Sequence, residues 1–204
     1  MSHNCFISFK KEDVKYKDKI IEKLGKERIQ GKALDKWIDS EDIDYIMQVI
    51  RKEYMNNTSV TIFLIGKHSS ENEGVDEYDQ DKNAFIKREL QATLYDGKGF
   101  ARSGLLGVVL PEMESKVYGN KYVCNMCLQV HKNMNINDYT VIKEFSANYF
   151  LKKDKQCCYT ENGRFCVLVR YCEFMDDPDK YIDMAYDKLS QPICNEVHWR
   201  DLRK

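Results

Sequence analysis

Four short segments of the chain are apolar at nearly every position: Cys5–Phe9, Val60–Ile65, Leu105–Leu110 and Phe165–Tyr171. Continuous apolar runs of this length, rich in β-branched and aromatic residues, are typical of strands buried on both faces of a parallel sheet. Apolar residues at helical spacing fill the stretches between and after them, at 15–24, 42–56, 83–95 and 177–189. The alternation predicts an α/β domain with a mainly parallel central sheet between two layers of helices.

Two segments complete this outline. Lys36–Asp39 is predicted to form a further short strand, followed by Ser40 as the N-cap of the next helix. Residues 112–160 interrupt the alternation, and we interpret them as an insertion before the last strand, with one helix at 138–150. No repeat, low-complexity tract or Pro/Gly linker divides the chain. The sequence therefore predicts a single domain over residues 1–204, elaborated by the insertion.

Charge and hydropathy narrow the range of partners. The formal net charge of -1 gives no support to nucleic-acid binding driven by bulk charge. No apolar run approaches the length that crosses a bilayer, and nothing near Met1 resembles a signal peptide. We therefore expect a cytoplasmic protein that binds neither nucleic acid nor membrane.

The eight cysteines include one group whose residue types are those of metal ligands. In this group Cys124-x-x-Cys127 is followed by His131 and later by Cys157-Cys158. The C-x-x-C spacing fits one half of a zinc site. The second half is not a standard pair, because adjacent cysteines chelate poorly and the intervening stretch is long. We interpret the group as ordinary reduced thiols and predict no metal site.

Glu89 is out of place on its predicted helix. On a wheel of about 100° per residue, Glu89 falls at about 40° from Phe85, inside the apolar half. That half also holds Ile86, Leu90, Thr93 and Leu94, whereas Ala84, Lys87, Arg88, Gln91 and Ala92 fill the other. A carboxylate at the edge of a core, facing a cleft, is common in electrostatic catalysis, and a structural ion pair is the alternative.

Several familiar chemistries lack their sequence signatures. No G-x-x-x-x-G-K-[ST] phosphate loop and no G-x-S-x-G nucleophile elbow is present. A phospho-receiver domain needs an acceptor aspartate after its third strand, and Val60–Ile65 is followed by Gly66-Lys67 instead. The chemistry is therefore sought around Glu89.

Three motifs occur in order: F-I-S-F-K-K-E-D from Phe6, S-V-T-I-F-L-I-G from Ser59, and F-I-K-R-E-L from Phe85. Together they resemble the TIR-like domain of the bacterial Thoeris anti-phage system and, more broadly, the TIR superfamily. The family's strand-end residues match Ser8, Phe9 and Asp13, and its helix motif matches Phe85–Glu89, with Phe85 in place of the usual tryptophan. The resemblance implies a flavodoxin-like, three-layer fold.

The resemblance also implies a function, namely cleavage of NAD at the bond between nicotinamide and ribose, often followed by cyclisation to a signalling nucleotide. NAD is then the substrate, and no further cofactor is expected. Glu89 is the expected catalytic residue. The residues expected to contact the nucleotide are Ser8, Phe9, Lys10, Trp37 and Ser40, with Lys10 facing the pyrophosphate.

The implied partners are further copies of the chain, a phage-derived trigger and a separate effector that reads the product. We also expect residues 112–160 to form a lid that excludes water during cyclisation. Two other functions stay open at this point: a non-catalytic TIR-type interaction module, and a nucleoside deoxyribosyltransferase-like enzyme that acts without NAD.

Overall fold

The computed structural model of the chain describes residues 2–78, 80–153 and 157–199. Its strands are β1 Cys5–Ser8, β2 Val60–Ile65, β3 Gly104–Val109, β4 Tyr118–Val123, β5 Val130–Met134 and β6 Val167–Arg170. Its α-helices are α1 Val14–Leu24, α2 Ile43–Val49, α3 Ala84–Leu94, α4 Glu114–Val117, α5 Lys143–Tyr149, α6 Tyr171–Asp176 and α7 Pro178–Asp187. A π-helical turn, Ile50–Tyr54, continues α2.

Four strands form a parallel sheet in the order β1-β2-β3-β6. Every residue of the first three strands is buried, which is why these segments read as continuous apolar runs. Helices α1, α6 and α7 cover one face, and α2, α3 and α5 cover the other. The predicted three-layer α/β fold with a parallel central sheet is confirmed.

The outer edge of β1 is occupied by a single residue. Ile29 forms a parallel bridge with Cys5, and the Gln30 amide donates a hydrogen bond to the Cys5 carbonyl at 2.9 Å. The chain thus runs from β1 to this edge and then returns through α2 to β2 on the other side of β1. A reversal of this kind creates a crevice at the carboxyl ends of the strands, where ligands of α/β sheets bind.

The predicted strand Lys36–Asp39 is wrong. These residues form an irregular segment with no strand partner, because Ile29 already occupies the position beside β1. Trp37 instead leaves the sheet edge and packs its ring against Phe85 at 5.1 Å between centroids.

The segment predicted as an insertion contributes to the core as well as to the surface. Helix α5, shorter than the predicted 138–150, packs its Phe145 ring 5.8 Å from Phe63 of the sheet. Gly107 leaves room for that ring, since a Cβ there would lie 2.6 Å from Phe145 Cζ. Strands β4 and β5 form an antiparallel hairpin with mostly exposed residues, separate from the main sheet.

Smaller differences concern the end of the chain. The predicted strand Phe165–Tyr171 is shorter, because Tyr171 begins helix α6. Asp177 caps α7 by accepting a hydrogen bond from the Lys180 amide, and Pro178 is its first residue, as predicted. Within the described residues, no helix has the length and apolar character needed to cross a membrane.

Candidate active site

Glu89 lies on the inner side of α3 and is only 2% exposed. Ile86, Leu90 and Leu94 anchor this helix in the core beside the sheet. The register of the helix therefore directs the Glu89 side chain toward the carboxyl end of β1, where the crevice begins.

Two donors hold the Glu89 carboxyl group. The Ser8 hydroxyl donates to Oε2 at 2.6 Å, and the Leu34 amide donates to Oε1 at 2.8 Å. Burial raises the pKa of Glu89 from 4.5 to about 7, while the two hydrogen bonds act in the opposite direction. The carboxyl group is thus fixed in orientation and changes its charge near neutral pH.

A cavity of about 490 Å³ opens beside this carboxyl group. Its walls are mainly apolar and include Phe9, Val14, Ala33, Leu34, Phe85 and Ile86. Three lysines, Lys10, Lys11 and Lys82, also line it, together with one further carboxylate, Glu12. An apolar cavity with a few polar groups and one residue of perturbed pKa has the character of a small-molecule site, and the lysines favour an anionic ligand.

Ser8 lies behind the carboxyl group rather than in the cavity. Its side chain is fully buried, and its hydroxyl is donated to Glu89. The expected direct contact between Ser8 and a nucleotide is not what this geometry provides. Ser8 instead orients the carboxyl group and stabilises its charged form.

Phe9 and Lys10 both line the cavity, as expected of residues that follow β1. The Lys17 ammonium lies 5.1 Å from the centre of the Phe9 ring. Lys10 Nζ donates to the Lys82 carbonyl at 2.6 Å, which joins the loop after β1 to the loop before α3. The two loops that flank the cavity are therefore connected through Lys10.

Trp37 and Ser40 line a smaller neighbouring cavity of about 110 Å³, which shares Leu34 with the larger one. Trp37 reaches the larger cavity only through its contact with Phe85. Ser40 Oγ accepts from the Asp42 amide at 3.1 Å. The N-cap of α2 is Asp42, which accepts from the Asp44 and Tyr45 amides, so the prediction of Ser40 as N-cap is wrong.

Two residues in the segments that line the cavity had no chemical role assigned from the sequence. Leu34 acts through its backbone amide, which no side-chain pattern reveals. Asp13 is buried, and a Cβ on Gly66 would lie 2.1 Å from its Oδ2. Burial, followed by the nearby Glu112 carboxylate, raises the pKa of Asp13 to about 6.

The polar half of α3 is buried as well. The Lys87 ammonium forms ion pairs with Glu71 and Asp81 of the loop before the helix. Gln91 donates to Glu144 of α5 at 2.8 Å. These contacts fix the rotation of α3 about its axis, and with it the position of Glu89.

A family model described as the Thoeris protein ThsB TIR-like domain matches residues 6–114, more than half of the chain. The chain belongs to this family. It is a TIR-like protein of the Thoeris defence type, and the resemblance found in the three motifs is confirmed. No curated protein and no solved structure shows significant similarity to the chain.

The matched segment includes all the residues that line the Glu89 cavity, from Phe9 to Glu89. The β4–β5 hairpin, α5, β6, α6 and α7 follow the matched segment. The described residues of 112–160 do not line this cavity, so the expected lid over Glu89 is not part of this arrangement.

Proposed function

We propose that this Thoeris TIR-like protein is an NAD-consuming enzyme that cleaves the bond between nicotinamide and ribose. The observation that supports this most is the Glu89 carboxyl group, which is buried, held by two donors and open to a cavity of about 490 Å³. NAD cleavage is assisted by a fixed negative charge beside the ribose, and ionised Glu89 can supply that charge.

The chemical step follows from the leaving group. The C–N bond to ribose breaks with its electron pair going to nicotinamide, which departs neutral, and the anomeric carbon develops positive charge. Ionised Glu89 stabilises this oxocarbenium-like state. Water then adds to the anomeric carbon and releases a proton, giving ADP-ribose, or a group of the same nucleotide adds and gives a cyclic product.

The cavity walls suit the other parts of the substrate. Phe9 and Phe85 offer ring faces to the bases, and Lys10 and Lys11 offer positive charge to the pyrophosphate. Glu89 and the lysines belong to one cavity, so a dinucleotide can contact both. In this proposal the Ser8 hydroxyl stabilises the ionised form of Glu89 against the effect of burial, and the Leu34 amide fixes the direction of the carboxylate.

The proposed partners are those of a signalling enzyme. A phage-derived trigger activates the protein, copies of the chain associate through TIR-type surfaces, and a separate effector reads the nucleotide product. The competing proposal is a non-catalytic module that assembles with a partner. Trp37, beside the smaller cavity, and Tyr45, on α2, are about half exposed, and exposed aromatic residues favour protein contacts.

Turnover of NAD separates the two proposals. Purified full-length protein is incubated with NAD, with and without lysate from phage-infected cells, and nicotinamide and ADP-ribose products are resolved by chromatography. We expect nicotinamide release by the wild type that is lost in Glu89→Gln. The matched control is Glu22→Gln, the same change at an exposed position on α1.

The possible outcomes distinguish the models. Release of nicotinamide that depends on Glu89 supports the enzyme. If the protein self-associates in the presence of the lysate but never releases nicotinamide, the interaction module is correct. Conversion of nucleosides by base exchange, without competition from NAD, would point to a deoxyribosyltransferase instead.

A further inference from the structure

Four side chains with metal-binding atoms converge beside the β4–β5 hairpin, away from the Glu89 cavity. They are Cys124, Cys127, His131 and Cys157, and their sulfur and ring nitrogen atoms all lie within 4.8 Å of one another. Cys127 Sγ lies 2.9 Å from His131 Nε2, and Cys157 Sγ lies 4.0 Å from the same nitrogen. Three residues therefore come from one hairpin and the fourth from a distant part of the sequence.

We propose that Cys124, Cys127, His131 and Cys157 form a structural zinc site that ties the β4–β5 hairpin to the segment following α5. Three thiolates and one imidazole are a common ligand set of closed, tetrahedral zinc sites. In such a site neighbouring sulfur and nitrogen atoms lie about 3.5 to 3.8 Å apart, so the four atoms need only small shifts to surround an ion.

The turn between the first two cysteines is arranged around sulfur. Cys124 Sγ accepts a hydrogen bond from the Met126 amide at 3.4 Å and a second from the Cys127 amide. The Gln129 amide donates to Cys127 Sγ. Donors of this kind orient metal-bound thiolates and stabilise their negative charge. The backbone thus provides the outer hydrogen bonds of a metal site.

The hairpin has little else to hold its shape. Met126 is 65% exposed and Leu128 is 80% exposed, so the tip buries almost no apolar surface. Leu128 also adopts a φ of 58°, a left-handed conformation that is strained for leucine. Tyr118 and Met134 at the base of the hairpin pack against the core, so only the tip lacks apolar support. Small units with so little apolar burial are commonly stabilised by a metal.

The fourth ligand gives the site a firm anchor. Cys157 is two residues from Tyr159, whose ring contacts Phe150 at 5.1 Å and whose carbonyl accepts from Arg164 at 3.1 Å. Arg164 also donates to the Tyr149 hydroxyl at 2.8 Å. An ion bound by Cys157 and the hairpin would therefore fix the hairpin to α5, which belongs to the core.

The sequence predicted ordinary thiols because it paired Cys157 with Cys158 as the second half of a site. In the structure His131 takes one of those positions, and Cys158 is outside the group of four. Cys158 Sγ lies 3.8 Å from Cys157 Sγ, which makes it a close but non-ligating neighbour.

Metal content of the full-length protein tests the site. The protein is produced in medium with zinc sulfate, purified under reducing conditions and analysed for metal by mass spectrometry. We expect about one zinc ion per chain. Cys124→Ser, Cys127→Ser and Cys157→Ser should each lower the bound zinc severalfold, whereas the control variants Cys158→Ser and Cys172→Ser should retain it.

A second measurement covers variants that fail to fold. Wild-type protein is stripped of metal with a chelator and titrated with cobalt chloride, since cobalt bound by three sulfurs and one nitrogen in a tetrahedron absorbs visible light. We expect these absorption bands, and we expect zinc to remove them. Trypsin should also cleave after Lys121 and Lys132 faster in the stripped protein, because the hairpin loses its anchor.

Three results would contradict the proposed zinc site. Reduced wild-type protein that carries no zinc and gives no tetrahedral cobalt spectrum does not contain it. Equal loss of zinc from Cys157→Ser and Cys158→Ser would show that the assigned fourth ligand is wrong. A disulfide among these cysteines in protein kept under reducing conditions would likewise contradict a metal site.

Discussion

Replacement of Glu89 by glutamine should change the stability of the protein in a pH-dependent way. Burial raises the Glu89 pKa from 4.5 to about 7, so the folded state favours the protonated form. The preference of the folded state for protonated Glu89 affects the free energy of unfolding. Its contribution to stability is fully present below the unfolded pKa of 4.5 and is lost as the pH rises through the folded pKa of about 7. Glutamine has nearly the same shape and stays neutral throughout.

The size of the effect follows from the shift in pKa. Each unit corresponds to about 1.4 kcal/mol, so the shift from 4.5 to about 7 costs the ionised protein about 3 kcal/mol. Most of this cost appears between about pH 5 and about pH 8. Over that range the stability of Glu89→Gln relative to the wild type should rise by about 2 to 3 kcal/mol.

Urea unfolding at equilibrium, carried out at about pH 5 and at about pH 8, measures the difference in free energy of unfolding between the two proteins. Asp13, whose pKa burial raises to about 6, also destabilises the fold as the pH rises, but it is present in both proteins and cancels in the comparison. Glu22→Gln on the exposed side of α1 is the control and should show no such trend. A difference between wild type and Glu89→Gln that is the same at both pH values would refute the reasoning.

Three further predictions concern single substitutions at Ser8, Lys10 and Gly104. Ser8→Ala removes a donor from the Glu89 carboxylate, so the rising limb of the pH profile for NAD cleavage should move up by about one pH unit. Lys10→Met should raise KM for NAD about tenfold with little change in kcat, since in the proposed binding mode its charge faces the pyrophosphate in ground and transition states alike. Gly104→Ala should lower the free energy of unfolding by about 1 to 3 kcal/mol in urea titrations, because its Cβ would lie 2.3 Å from the Ala185 carbonyl oxygen of α7.

The central strands were predictable because burial on both faces demands apolar residues throughout. β2 matches its predicted bounds, and β1 and β3 differ by one residue at their ends. Lys36–Asp39 failed as a strand for a tertiary reason, since Ile29 already pairs with Cys5 at that edge. Local patterns carry no information about which segment reaches an edge first.

Glu89 was predictable from two signals, its place among apolar positions of a helix and the three motifs that resemble the TIR-like family. Glu89 stands among apolar positions of its predicted helix, and in the structure its side chain is buried as those positions are. The Leu34 amide left no trace in the sequence, because any residue other than proline supplies the same donor. The role of Ser8 behind the carboxylate depends on rotamers and distances that a linear motif does not encode.

The arrangement of the cysteine group was also not predictable from the sequence. Its four residues are separated by a hairpin turn and by the whole of α5, so their convergence depends on how α5 packs against the sheet. Spacing alone gave no standard second pair of ligands and predicted ordinary thiols, whereas the fold brings His131 and Cys157 to Cys124 and Cys127.

The proposed mechanism depends on Glu89 as the residue that stabilises the positive charge on the ribose. The most direct test is the kcat for nicotinamide release from NAD by activated wild type, Glu89→Gln and the Glu22→Gln control, with folding of each verified by its unfolding transition. We expect Glu89→Gln to lose at least about a thousandfold in kcat while Glu22→Gln keeps wild-type activity. A folded Glu89→Gln protein that retains activity within about tenfold of the wild type would contradict the central claim.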